Sequence, residues 1–352
     1  MTSDTQMPSD TRLSRDSGLR IAVLGAGAVG ARCARQLLSS PEVGAVIVRD
    51  PQARRAEALV ESLGDGAIVD ADGSDGPIDA DVVVLAGPGG THAPSAAAHL
   101  RRGLPVVSTT DDIDDVRALL ALGPEAAERG LTVAVGAGFA PGLTDILAAH
   151  AAGWFGQVDE VHVAKLGTGG PACARVHHRA LRSEATDWRD GGWLRRPGGS
   201  GRELVWFPDP IGGRDCYRAA LPDALLLVDE LPGVQRVTAR MAATRRDRLT
   251  APLPMLRRPH ADGGPGAIRV EVRGTIDGAN AVVVLGAMDR PAVAAGAVAA
   301  LVAVAVGTGQ TTRVGAGGLA GLVDPLAMLT ELAVRGVRCA RFDPAAASES
   351  AQ

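Results

Sequence analysis

Lysine is almost missing from this chain. Of its 36 basic residues only Lys165 is a lysine, against 35 arginines, and alanine and glycine are abundant. That skew reads as coding bias, so an arginine here is not by itself a sign of anion recognition. Four cysteines, Cys33, Cys173, Cys216 and Cys339, stand far apart with no C-x-x-C, which excludes a disulfide framework and a zinc ribbon and fits a reducing, cytoplasmic compartment. A basic excess is also lacking. With a formal charge of -4 there is no field to hold nucleic acid. The longest apolar run, Pro291–Gly307, is short for a membrane span and is built of small residues, so it reads as a buried helix. Residues 1–18 are polar, without the apolar core of a secretory signal.

Glycine is abundant, and its placement carries information. Leu19–Leu24 reads as a strand, followed by Gly25-Ala26-Gly27-Ala28-Val29-Gly30 and a helical pattern with Val29, Cys33 and Leu37 on one face. In G-x-G-x-x-G the first glycine permits a tight turn and the second lets backbone approach a pyrophosphate. The third lets helix pack on strand, and the helix N-terminus offers N–H groups to the anion. The next strand, Ala45–Arg49, ends in Asp50, placed to accept the hydroxyls of an adenosine ribose. The arrangement predicts a dinucleotide. Asp50 repels a 2′-phosphate and favours NAD, whereas Arg49, Arg54 and Arg55 leave NADP as the alternative. Strands at Ala67–Val69, Asp81–Leu85, Pro105–Ser108 and Thr132–Val135 continue the alternation, with Thr109–Asp115 capping a helix predicted to run to about Arg129. Loops at the carboxyl ends of these strands place Ala86, Gly87, Pro88, Thr109 and Gly138 beside the cofactor. Asp111, Asp112, Asp114 and Asp115 read as helix-start carboxylates rather than metal ligands.

The loop Gly136-Ala137-Gly138-Phe139-Ala140-Pro141-Gly142-Leu143-Thr144-Asp145 is the most distinctive local feature, with Pro141 suited to open a helix to about Ala152. A cofactor fold followed by this loop resembles the saccharopine dehydrogenase-like family, which includes saccharopine reductases, homospermidine synthases and carboxynorspermidine dehydrogenases. Phe207-Pro208-Asp209-Pro210-Ile211-Gly212 with Cys216-Tyr217 is similar to that family's second domain. The resemblance covers most of residues 19–342 and is strongest in the first domain. It implies NAD(P)-dependent hydride transfer at an imine or secondary amine of an amino-acid-like substrate, in a homodimer. It also implies that the late helix returns to the cofactor domain.

The expected fold is α/β. A doubly wound parallel sheet of Rossmann type (19–152) precedes a smaller α+β domain with an antiparallel sheet (153–342), between tails at 1–18 and 343–352. Val158–Lys165 opens the second domain and aims Lys165 at the predicted cleft. Ala267–Arg273 and Ala281–Leu285 form a hairpin around Asp277-Gly278, and 324–335 a helix. Five of the nine aromatic residues fall between Trp188 and Tyr217, as core, subunit interface or pocket wall.

Hydride transfer needs an acid–base group, and histidine is the default. His177 and His178 lie after the domain junction; on a helix they diverge by about 100°, so one at most faces a cleft. His92 opens a helix beside the expected nicotinamide, as a catalytic group or a satisfied helix-start residue. Lys165 is the remaining catalytic candidate. Asp145 either orients a ligand or favours its helix. No metal is expected, since no histidine or cysteine partner was found at zinc-ligand spacing. The arginines Arg240, Arg245, Arg246, Arg248, Arg257 and Arg258, without interleaved aromatics, read mainly as a solvated loop. Two alternatives stand beside the imine reading: an alcohol or carbonyl dehydrogenase, and a cofactor-binding protein without catalysis.

Overall fold

The computed structural model describes residues 18–70, 76–255 and 258–342. The expected tails, apart from Gly18 in the first, and Arg257 of the arginine cluster lie outside the described residues.

Strands and helices alternate through the first domain: β1 (Leu19–Leu24), α1 (Ala28–Leu38), β2 (Val43–Arg49), α2 (Ala53–Leu63), β3 (Ala67–Val69), β4 (Val82–Leu85), α3 (His92–Arg101), β5 (Val106–Ser108), α4 (Ile113–Leu120), α5 (Gly123–Glu128) and β6 (Thr132–Val135). β4, β5 and β6 are buried valine-rich runs, as a parallel sheet covered on both faces requires. The helix expected to run unbroken to Arg129 is two helices. The break falls at Ala121–Leu122, and Pro124 stands in the first turn of α5, where its missing N–H, which an unbroken helix would bond back to Leu120, costs nothing.

Next come α6 (Leu143–Ala152), β7 (Gln157–Leu166), α7 (Pro171–Ala180), β8 (Ala185–Arg189), β9 (Gly192–Arg196), β10 (Glu203–Phe207), β11 (Gly212–Arg218), α8 (Asp223–Leu227), β12 (Arg236–Ala242), α9 (Arg245–Thr250), β13 (Gly266–Ile276) and β14 (Ala279–Asp289). Pro141 does not open α6; Gly142, at φ +118, is its N-cap. The described residues end with α10 (Pro291–Gly307), β15 (Gly315–Gly317), α11 (Leu319–Leu322), α12 (Pro325–Val334) and β16 (Cys339–Arg341).

Two sheets result. The first is parallel throughout, in the order β15-β6-β5-β4-β1-β2-β3, so order reverses between β1 and β4. A doubly wound sheet opens a crevice at that point. Its seventh strand, β15, arrives after every strand of the second sheet except β16, and pairs with β6. The second sheet runs β10-β11-β12-β7-β13-β14-β16, with β8 and β9 branching from β12. Most of its pairs are antiparallel, but β12 lies parallel to β7. It is therefore mixed rather than purely antiparallel.

α10 is buried almost all round and packs against α1, β4 and β5 of the first domain. Small residues permit the approach: a Cβ on Gly296 would stand 2.5 Å from the Arg32 Cβ and 2.8 Å from the Cys33 nitrogen. Among the described residues, no helix is long and apolar enough to cross a membrane.

Candidate active site

The glycine loop at the end of β1 owes its shape to contacts at two of its three glycines. Gly25 has φ +115, and a Cβ there would lie 2.7 Å from the Ala86 carbonyl oxygen. A Cβ on Gly30 would overlap the Gly25 carbonyl oxygen at 1.8 Å. Gly27, the N-cap of α1, meets nothing within 4 Å and has no side chain to cap the helix. This open space in front of a helix N-terminus is where a pyrophosphate fits.

A cleft of about 810 Å³ extends from this loop. At one end Asp50 receives the Ala26 and Gln52 N–H groups, each at 2.8 Å, on separate carboxylate oxygens. Each oxygen keeps a second lone pair for a ribose hydroxyl. Arg49 borders the cleft, but its guanidinium is taken up by Asp70 (Nε at 2.9 Å) and by the Gly76 and Pro77 carbonyls. Arg55 is the other arginine at this end. Gly25, Gly27, Ala28 and Val29 line the floor, and Ala86, Gly87, Pro88 and Thr109 continue the lining. Gly138 lines a smaller annex that shares Val29, Thr109, Asp111, Gly169 and Cys173 with the main cleft.

His92 is buried beside the cleft with both ring nitrogens engaged. Nε2 lies 3.1 Å from the Gly87 carbonyl, which only accepts, so Nε2 carries the proton; Nδ1, 2.8 Å away, accepts from the Ser108 hydroxyl. Burial lowers its pKa. In this state it ties the β4 loop to β5.

The acidic run divides by role. Asp112 is the N-cap of α4, accepting from Asp114 and Asp115 N–H. Asp115 accepts the Gly90, His92 and Ala93 N–H groups and so holds the start of α3. Asp111 does neither, and its carboxylate enters the cleft.

There it meets three second-domain side chains. Asp111 Oδ2 lies 2.8 Å from His177 Nε2, 3.6 Å from Lys165 Nζ and 3.2 Å from Cys173 Sγ. Cys173 Sγ is 3.5 Å from His177 Nε2. Lys165 is buried at the end of β7 and also donates to the Ala140 carbonyl in the Gly136–Asp145 loop. Burial opposes ionisation of Asp111, but Lys165 and the His177 hydrogen bond outweigh it and hold the carboxyl well below its usual range. Burial, then Lys165, lower the His177 pKa against the pull of Asp111, so the imidazole is neutral near pH 7. It donates Nε2–H to Asp111.

His178 diverges from the cleft, its Nε2 2.7 Å from the Leu253 carbonyl. None of the five clustered aromatics lines the cleft or the annex. Phe207 and Tyr217 are core, while Trp193 and Trp206 are exposed. Arg240 is not on a solvated loop either: it is buried on β12, 3.4 Å from Asp187.

Sequence reasoning missed Asp111, masked by its acidic neighbours, and Cys173. The signal for Cys173 was available, since it stands four residues before His177 and so shares a helix face with it. Cys173 is thus a potential ligand partner at helical spacing from His177.

Residues 19–137 match the family model described as oxidoreductase family, NAD-binding Rossmann fold. The first domain is thus a Rossmann domain similar to the NAD-binding domains of that family, and the open cradle at Gly27 fits the cofactor. Inositol 2-dehydrogenase of Mycolicibacterium gilvum is 36% identical over 114 residues, 32% of this chain and 33% of that protein. The chain therefore matches about a third of the length of this curated relative. The solved structure of saccharopine dehydrogenase (L-Glu forming) from Saccharomyces cerevisiae is similar over 93% of this chain and 100% of that one, with TM-score 0.66 and 16% identity. The C. glutamicum DAP dehydrogenase in complex with DAP gives TM-score 0.50 and 16% identity over 91% of this chain and 99% of that one. These two likenesses concern the fold, and they extend through both domains.

Proposed function

We propose that the protein is an NAD(P)-dependent oxidoreductase acting at a C–N centre, reducing the imine of an amine and a carbonyl compound or oxidising the corresponding secondary amine. The observation that carries this reading is Lys165, the only lysine of the chain, buried beside Asp111 and His177 in the annex that continues the dinucleotide cleft. When bound, the nicotinamide supplies or accepts the hydride. Lys165 Nζ holds the proton that the substrate nitrogen gains on reduction and returns on oxidation. Asp111 fixes the lysine and balances its charge, and His177 orients Asp111 through its Nε2–H. The largely buried setting lowers the local dielectric, which strengthens each of these interactions. The whole-fold likeness to saccharopine dehydrogenase supports an amino-acid-derived substrate.

A second reading, an alcohol or polyol dehydrogenase, is favoured by the inositol dehydrogenase relative. That match spans no more than a third of the chain, whereas Lys165 and His177 belong to the second domain.

Purified protein is assayed with NADH or NADPH against paired amines and 2-oxo acids, and with NAD or NADP against polyols. Turnover that requires both amine and oxo acid is expected. Lys165→Met should lower kcat/KM by about 10²–10⁴, the usual worth of a positioned acid–base group, with the NADH Kd unchanged. Oxidation of polyols without any amine requirement overturns the C–N reading in favour of the second.

A further inference from the structure

We propose that Asp111, Cys173 and His177 form a three-ligand site for a divalent cation of the zinc class, with its fourth position open to the cleft. The three donor atoms converge from two domains. Cys173 and His177 occupy successive turns of one face of α7, and Asp111 comes from the loop before α4. Their separations are 3.5 Å (S to N), 3.2 Å (S to O) and 2.8 Å (N to O). Zinc bonds of about 2.0–2.3 Å in a tetrahedron require ligand–ligand edges of roughly 3.3–3.6 Å. The S–N edge already fits, the S–O edge needs a few tenths of an ångström, and the N–O edge must open by about half an ångström. Thiolate, imidazole and carboxylate together are a zinc donor set, and three protein ligands with one open position are the pattern of an accessible rather than a closed site.

Burial, and then the Asp111 charge, raise the Cys173 pKa in the metal-free protein, so coordination itself has to displace the thiol proton, aided by the residue's place on its helix. Cys173 lies in the first turn of α7, where the helix N-terminus stabilises negative charge. On binding, the cation exchanges three water ligands for Sγ, Nε2 and Oδ2. The Cys173 thiol releases its proton to solvent, and the imidazole proton moves from Nε2 to Nδ1 so that Nε2 presents a lone pair. Lys165, 3.6 Å from Asp111, loses its counter-charge to the cation. Under the acid–base roles proposed above, and resting on them, occupancy disarms Lys165 and the ion inhibits. Binding itself does not depend on that reading.

The test is Co²⁺ added to the metal-free protein in the absence of substrates, followed by absorption spectroscopy. A thiolate-to-cobalt charge-transfer band and intense tetrahedral d–d bands are expected at one equivalent, displaced by Zn²⁺. The charge-transfer band should vanish in Cys173→Ser and the stoichiometric binding should weaken at least tenfold in His177→Asn, whereas Cys339→Ser, at the exposed thiol, leaves both intact. Absence of the band in the wild type, or its persistence in Cys173→Ser, overturns the site. Because no turnover is measured, failure of the proposed reaction leaves this result readable on its own.

Discussion

Gly27, the N-cap of α1, and Gly30, in its first turn, are three residues apart and carry different burdens. At Gly30 the missing side chain protects the fold, because a methyl would overlap the Gly25 carbonyl oxygen at 1.8 Å. At Gly27 nothing protein-made stands within 4 Å, so the missing side chain leaves room for a ligand. Gly30→Ala should therefore cost about 1–3 kcal/mol of stability, as overpacked sites do. Gly27→Ala should cost under about 1 kcal/mol, the scale of an N-cap change, while weakening NADH binding strongly. Urea midpoints and NADH titrations of the two variants check the contrast; equal destabilisation would remove the ligand-space argument. The residue scale also exposes the limits of reading by type. Four neighbouring aspartates share one chemistry, but Asp112 caps its own helix, Asp115 another and Asp111 none.

Among the elements, α6 and α8 carry buried acids, Asp145 and Asp223, in their first turns. Burial first, and the neighbouring Asp223 next, push the Asp145 carboxyl well above the usual carboxylate range. The native state thus keeps a proton that the unfolded chain releases above about pH 4. Stability from this group is complete below that value and is lost as pH rises toward the native pKa. Asp145→Asn removes that loss, so its urea midpoint should rise relative to wild type between pH 5 and pH 8. A difference independent of pH would contradict the assignment. The α1–α10 seam offers a second element-scale expectation. Gly296→Leu places a side chain where even a Cβ stands 2.5 Å from the Arg32 Cβ. A loss of about 1–3 kcal/mol is expected, with weaker NADH binding, because α1 carries the pyrophosphate terminus.

For the whole molecule, the cleft joins the domains. The glycine loop and Asp50 belong to the first, while Gly170, Ala172 and Cys173 of the second line the same space. NADH at a hundred times its Kd should raise stability by about 2.7 kcal/mol, read as an increase in Tm. Hydrogen exchange should slow in residues 167–177 as well as 25–31. Protection confined to residues 19–137 would mean that the second domain does not meet the cofactor.

How much was legible follows from the range of the forces involved. β1, the glycine loop and Asp50 were readable because turn chemistry, helix-terminus polarity and hydrophobic runs are local. The β13–β14 hairpin and the buried small-residue helix α10 were readable for the same reason. Trp188 to Tyr217 announced a cluster but not its strands. β10 and β11 form an antiparallel ladder, and its register is set by side chains packed from elsewhere. The sequence by itself determined a dinucleotide cradle and the chemical types available for a reaction. Tertiary structure alone decided which of them meet. Asp111 and His177 are 66 residues apart in the chain and 2.8 Å apart in space, because β7 and α7 return the second domain to the carboxyl edge of the first sheet. No local propensity encodes that meeting. It depends on packing between distant elements, including α10 against α1 and β15 beside β6.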